Sequence, residues 1–211
     1  INPGSFTKIM TLWIAAEEGN LSDVVEVRSE VIATISKDAV SMDLKPSEIL
    51  TLEDLLYGMM VGSANDAAAV IADHMAGSQA AFADKMNQYA QKAGCTHTNF
   101  VNAHGLQAEN QYTTPRDVTR IIAAAAQNET FREIFGAVYY RMDDEQGNAK
   151  RVMNTSNNLL DAESVYYDSR ITGSRTSASS DGKRSVASLA KEGNLEVISI
   201  ITGSANKYEA D

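Results

Sequence analysis

Ser5 and Lys8 stand three residues apart at the beginning of an apolar stretch, a spacing that puts both side chains on one face of a helix, so that the amine can reach the hydroxyl. A helix start offers unpaired N–H groups to a developing oxyanion, and its positive end favours a neutral, basic lysine. Such an amine can take the serine proton and make a nucleophile without histidine. Spacing alone selects little. Ser180/Lys183, Ser188/Lys191 and Ser204/Lys207 repeat it, and 19 serines with 9 lysines give about one such pair by chance. Only Ser5 follows a glycine turn into a strongly apolar helix; the other three lie in polar loop and strand sequence that reads as solvated surface. Ser63 and Asn65 form a Ser-x-Asn that recurs at Ser156/Asn158 and Ser204/Asn206. Either residue of the first copy could simply cap the following helix. Its place in a tight turn between Leu55–Met60 and Ala67–Met75 distinguishes it, because that turn presents short polar side chains to a cleft.

The surrounding pattern supplies elements to hold these residues. Ile9, Met10, Trp13 and Ile14 recur at helical spacing between Phe6 and Glu18, predicting a buried helix. Asp23 to Ile35, rich in valine and isoleucine, reads as two short strands or one broken strand. Thr51 with Asp54 is a capping box for a helix through Met60, and further helices are expected over 66–76 and 78–93, the latter ending at Gly94. Thr114, Pro115 and Asp117 open another that runs to about Gln127, followed by a short one over 129–135. Strands are expected over 137–142, 149–154, 170–176, 184–190 and 195–202, the last two joined by a turn at 191–194. Helices first and strands last indicate an α+β layer fold.

Composition narrows the function classes. The 211 residues are 44 % hydrophobic and 22 % charged, as in an ordinary globular domain, and no apolar run approaches the roughly 20 residues of a membrane span. A net charge of −10 argues against nonspecific binding to nucleic acid or anionic lipid, so an anionic ligand needs a local cationic pocket. The single cysteine, Cys95, cannot pair internally and reads as a small half-buried hydrophobe; with three scattered histidines, zinc-ligand spacing is absent. His74 and His104 read as structural, and Asp143, Asp144 and Glu145 as a solvated turn. Ile1 is not an initiator methionine, and no signal segment is present in this sequence.

Four linked blocks now carry a resemblance: Pro3-Gly4-Ser5-Phe6-Thr7-Lys8-Ile9-Met10-Thr11, Leu52–Gly58 running into Ser63-Ala64-Asn65-Asp66-Ala67, Phe100–Leu106, and Tyr112–Asp117. In order and over nearly the whole chain, they resemble the serine D-Ala-D-Ala carboxypeptidases, the low-molecular-mass penicillin-binding proteins. The resemblance implies an antiparallel β-sheet flanked by a helical cluster, forming one catalytic domain over 1–211. It also implies two strands before the serine motif and a helix after the last strand, so the chain is expected to be part of a longer polypeptide. Peptidoglycan stem peptides would be the substrate and β-lactams covalent inhibitors, with no metal or other cofactor. The protein would be exported, with any membrane anchor outside this chain. Ser5 would attack, Lys8 act as base, Ser63 relay the proton and Asn65 hold the substrate amide.

The family's third motif, Lys-Thr-Gly, is altered. Aligning Ile171-Thr172-Gly173 with the Val-Thr-Gly that often precedes it puts Arg175-Thr176-Ser177 at its position. Arg175 and Thr176 would bind the terminal carboxylate, the guanidinium through two parallel hydrogen bonds, and the Ala178 N–H would complete the oxyanion hole. Ser177 adds a Cβ where the ligand passes, which would weaken turnover or alter specificity. Two alternatives stay open. One is a silent peptidoglycan-binding homologue. The other is a class A β-lactamase-like hydrolase, disfavoured because the place of its deacylating glutamate is Thr98 here.

Overall fold

The computed structural model describes residues 1–144, 146–178 and 182–205. A 3₁₀ turn at Gly4–Phe6 leads into α1 (Thr7–Glu18), whose residues Thr7 to Ala15 are all buried, so this helix is the axis of the core. Trp13 on α1 meets Tyr89 edge to face at 4.9 Å, fastening it to α5 (Gln79–Lys92). Around α1 pack α3 (Leu52–Val61), α4 (Asn65–Ala76), α6 (Pro115–Ala125) and α7 (Glu129–Phe135). The expected caps form. Thr51 and Asp54 exchange reciprocal hydrogen bonds at the start of α3, and the Thr114 hydroxyl accepts from Asp117 N at 3.1 Å ahead of Pro115.

The Asp23–Ile35 segment departs from expectation. Only β1 (Val24–Glu26) is extended, paired antiparallel with β2 (Ile49–Thr51), which the sequence reading missed; a one-turn helix α2 (Ser29–Ile32) replaces the second strand. Val31 and Ile32, adjacent on that turn, rest against the core, and this tertiary contact outweighs their β propensity.

Five strands follow, as expected, but in two groups. β3 (Tyr139–Asp143) and β4 (Ala149–Asn154) form a separate antiparallel ribbon. Tyr57 of α3 stacks on Tyr140 at 4.2 Å, and Arg151 of β4 grips both oxygens of Glu48 at 2.5 and 2.9 Å, holding the ribbon against the helices. β5 (Ile171–Ala178), β6 (Arg184–Glu192) and β7 (Leu195–Ser204) make an antiparallel sheet in that order. Among the described strands β5 pairs on one side only, and its other edge faces the Gly4–Phe6 turn. Asp143 and Asp144 are exposed at the ribbon's turn, whereas Glu145 lies outside the described residues.

Candidate active site

A cleft of about 330 Å³ opens between the helical cluster and β5, walled by Ser5, Ser63, Asn65, His104, Thr176 and Ala178 among others. Three separate segments meet here, each by a local device. Ser5 sits in the 3₁₀ turn that precedes α1, so Lys8 follows it into the first turn of the helix. Ser63 occupies the link between α3 and α4 in the left-handed region (φ +60°), a conformation that costs an L residue roughly 1–2 kcal/mol. The helix cap there is Ala64, without a side-chain bond, so neither Ser63 nor Asn65 is spent on capping. The third segment is the His104–Leu106 loop. Gly105 (φ +87°) lies so close to the Gly4 carbonyl that a Cβ would fall 1.8 Å from its oxygen, which only glycine permits.

Lys8 is the centre of the arrangement. It is fully buried, and its Nζ donates to Asn65 Oδ1 at 2.8 Å and to the His104 carbonyl at 2.6 Å. Burial, reinforced by the nearby Arg175 charge and opposed by Asp66, holds its pKa well below the usual lysine value. A neutral amine has two N–H bonds and one lone pair. The two acceptors found here match the two N–H bonds and leave the lone pair available to a hydroxyl proton. Asn65 is fixed in turn, because its Nδ2 donates to the Val40 carbonyl at 2.8 Å and so aims the amide oxygen at Lys8. The 41–44 segment beside Val40 is tied down by the buried Asp66 carboxylate, which accepts from Ser41 Oγ at 2.6 Å and from the backbone N–H groups of Met42 and Leu44 at 3.1 Å each.

Arg175 enters from β5. It is 6 % exposed, and its Nη2 donates to Ser63 Oγ at 2.6 Å while Nη1 donates to the Met60 carbonyl, also at 2.6 Å. Burial lowers its pKa from 12.5 to about 10, so it stays a cation at neutral pH. One N–H on each Nη is thus engaged by Ser63 and Met60, and the buried Nε has no partner among the described residues. Thr176, the next residue, lines the cleft directly, as do Ser177 and Ala178. His104 is drawn into the site through its backbone carbonyl. Its imidazole Nδ1 accepts from Leu106 N at 3.1 Å, and burial with the Lys8 charge pushes its pKa down to about 4, keeping the ring neutral.

Of the competing copies of the motifs, Ser156 also lines the cleft beside Ser63. Ser188 is buried within the sheet against Ser174 Oγ at 3.1 Å, not solvated as expected; Ser180, Asn206 and Lys207 lie outside the described residues. His74 pairs with Asp23 at 3.2 Å on the far end of α4, and Thr98 spends its hydroxyl on Thr113 and Asp117. Cys95 is half-buried, with its pKa raised to about 11 mainly by burial, consistent with an inert thiol. Four contributors were not foreseen: the Val40 and His104 carbonyls, the Asp66 carboxylate and the Ser177 hydroxyl. The first two are backbone groups, which no residue identity signals.

A serine and a buried lysine thus stand at the start of a central helix of an α+β fold, with a second serine held by a cation from β5. The model of the peptidase S11 family, D-alanyl-D-alanine carboxypeptidase, matches residues 1–206, and the chain belongs to that family. The D-alanyl-D-alanine carboxypeptidase DacC of Escherichia coli K12 is 33 % identical over 211 residues, covering 96 % of this chain and 50 % of that protein. A D-alanyl-D-alanine carboxypeptidase of Streptomyces sp. K15 is 32 % identical over 217 residues, covering 96 % and 72 %. The chain thus spans about half the length of the Escherichia coli relative. The crystal structure of the Streptomyces K15 DD-transpeptidase superposes with a TM-score of 0.84 at 27 % identity, covering 96 % of this chain and 80 % of that one. Penicillin-binding protein 5 of Haemophilus influenzae superposes with the same score and identity, covering 98 % and 59 %.

Proposed function

We propose that the chain carries the acyl-transfer centre of an exported serine D-Ala-D-Ala carboxypeptidase acting on peptidoglycan stem peptides. The observation that supports this best is the buried Lys8, one helical turn after Ser5, whose Nζ donates to two acceptors, Asn65 Oδ1 and the His104 carbonyl. In this reading the Lys8 lone pair takes the Ser5 proton as Oγ attacks the penultimate D-Ala carbonyl. The tetrahedral oxyanion is held by the Ser5 and Ala178 N–H groups. The peptide C–N bond then breaks, Ser63 passes a proton to the departing D-Ala amine and regains one from the Lys8 ammonium, and the acyl group remains as an ester on Ser5. Water cleaves that ester and returns the proton to Ser5. Asn65 holds both Lys8 and the substrate amide. Thr176 meets the terminal carboxylate directly, and Arg175 supplies charge behind it while orienting Ser63. A β-lactam would be opened by the same attack, giving a stable acyl adduct. Localisation follows from the substrate, which lies outside the cytoplasm.

Intact mass after penicillin exposure tests the assignment. One adduct is expected, mapped by peptide digestion to Ser5 and absent in Ser5→Ala. An adduct that persists in Ser5→Ala overturns the nucleophile; absence of any adduct in the unaltered protein favours a silent binder.

A further inference from the structure

The N–H of an attacking serine is among the donors closest to the carbonyl oxygen as it becomes an oxyanion. In this chain that donor is already engaged. Ser5 N donates to Ser177 Oγ at 3.0 Å, and the Ser177 hydroxyl in turn donates to the Pro3 carbonyl at 3.5 Å. The hydroxyl therefore bridges the turn on which the nucleophile is mounted. Gly4 makes room for it. A Cβ at that residue would come within 2.3 Å of Ser177 Oγ, so the bridge needs a side chain at 177 and none at 4. Ser177 also lines the cleft between Ser5 and Ala178, which puts the bridge where an acyl group must arrive.

We propose that the Ser177 hydroxyl is a built-in occupant of the oxyanion site, holding the Ser5 N–H until an entering carbonyl oxygen displaces it, and so setting the rate of acylation. The proposal rests on the acyl-enzyme reading above. A catalytic donor lowers the barrier most when it stands open and oriented before the substrate arrives. Here the N–H···Oγ bond must break and the Ser177 side chain must turn aside before the donor is free. The penalty falls on the acylation step more than on binding, because the distal parts of the ligand need no such rearrangement.

Ser177→Ala and Ser177→Gly test it, with saturation kinetics of a fluorescent penicillin and hydrogen exchange of the Ser5 amide followed by NMR. Freeing one neutral hydrogen bond is worth about 3- to 10-fold in rate. Both variants should acylate faster by that factor with little change in the half-saturation concentration, and the Ser5 amide should exchange faster in both. A Ser177→Ala that is no faster than the unaltered protein, while Ser177→Gly is, assigns the obstacle to the Cβ and overturns the proposal. Slower acylation in either variant, or unchanged Ser5 exchange, also overturns it. If the unaltered protein is labelled at Ser5 and Ser177→Ala gains nothing, only this inference falls; if no variant is labelled, the acyl-enzyme reading falls and takes this one with it.

Discussion

Replacing Arg175 with methionine separates three roles that the structure gives its guanidinium. The first is the 2.6 Å bond to Ser63 Oγ. A charge-assisted bond of about 1.5 to 3 kcal/mol, lost where Ser63 must be oriented, lowers acylation roughly 10- to 150-fold at the best pH. The second is its field at Lys8. Arg175 is the second largest cause, after burial, of the lowered Lys8 pKa. Without it the ammonium form is less disfavoured, so the Lys8 pKa rises. Acylation needs the neutral amine, so the acid limb of its pH profile moves to higher pH. The limb still lies below the ordinary lysine range, because burial remains. The third role is a cost: burial alone brings the Arg175 pKa from 12.5 to about 10, equivalent to roughly 3 kcal/mol against the charged form. Methionine removes that cost along with the hydrogen bonds to Ser63 and Met60, so stability should stay within about 2 kcal/mol. The assay is the second-order rate of acylation by a fluorescent penicillin from pH 5 to 10, beside urea unfolding at pH 7. Arg175→Lys, which keeps a cation on β5 at the acid end of the profile, should leave the acid limb near its original place. A limb that stays put in Arg175→Met, or moves equally in Arg175→Lys, refutes the electrostatic coupling.

Two further outcomes test the supports of the site. Asp66→Asn should move the same acid limb to lower pH, because the Asp66 charge raises the Lys8 pKa; losing the ionised acceptor of Ser41, Met42 and Leu44 should also cost about 2 to 4 kcal/mol in urea unfolding at pH 7. His104 has its folded pKa lowered from 6.5 to about 4, so the unfolded chain takes the proton first and stability falls by up to roughly 3 kcal/mol as pH drops through that window; His104→Gln should flatten the loss between pH 7 and 4.5, and an equal loss in both proteins would sink the assignment.

The elements that were legible in the sequence are those specified locally. Thr51 with Asp54, and Thr114 with Pro115 and Asp117, satisfy orphan N–H groups within one turn, so their meaning does not depend on the rest of the fold. The β1–α2 segment was misread because a three-residue strand has too little periodicity to stand out, and Val31 and Ile32 owe their helical turn to the core they rest on. In the site, Ser5, Lys8, Ser63 and Asn65 could be picked out by their place at an apolar helix start and in a tight turn between helices, and by the linked blocks around them, since the spacing alone recurs elsewhere in the chain. The left-handed Ser63, the carbonyls of Val40 and His104, and the Ser177 bridge depend on chain segments up to 174 residues apart coming together.

In the alignment that sets Arg175-Thr176-Ser177 against Lys-Thr-Gly, an arginine in place of lysine has a physical consequence for the pair of buried basic groups. In the proposed mechanism Lys8 has to be neutral to accept a proton, while the group on β5 has to stay charged to hold Ser63 and attract an anion into a chain of net charge −10. Two ammonium groups in one dry cleft would compete for the neutral state, because both start near 10.5 and both are lowered by burial. A lysine at 175, lowered by the same burial from a lower starting value, would hold its charge less firmly than the arginine. The guanidinium starts higher and is still charged with its pKa at about 10. Its fixed charge then helps to keep Lys8 unprotonated, so the departure from the family's lysine divides the two protonation states more sharply between the two residues.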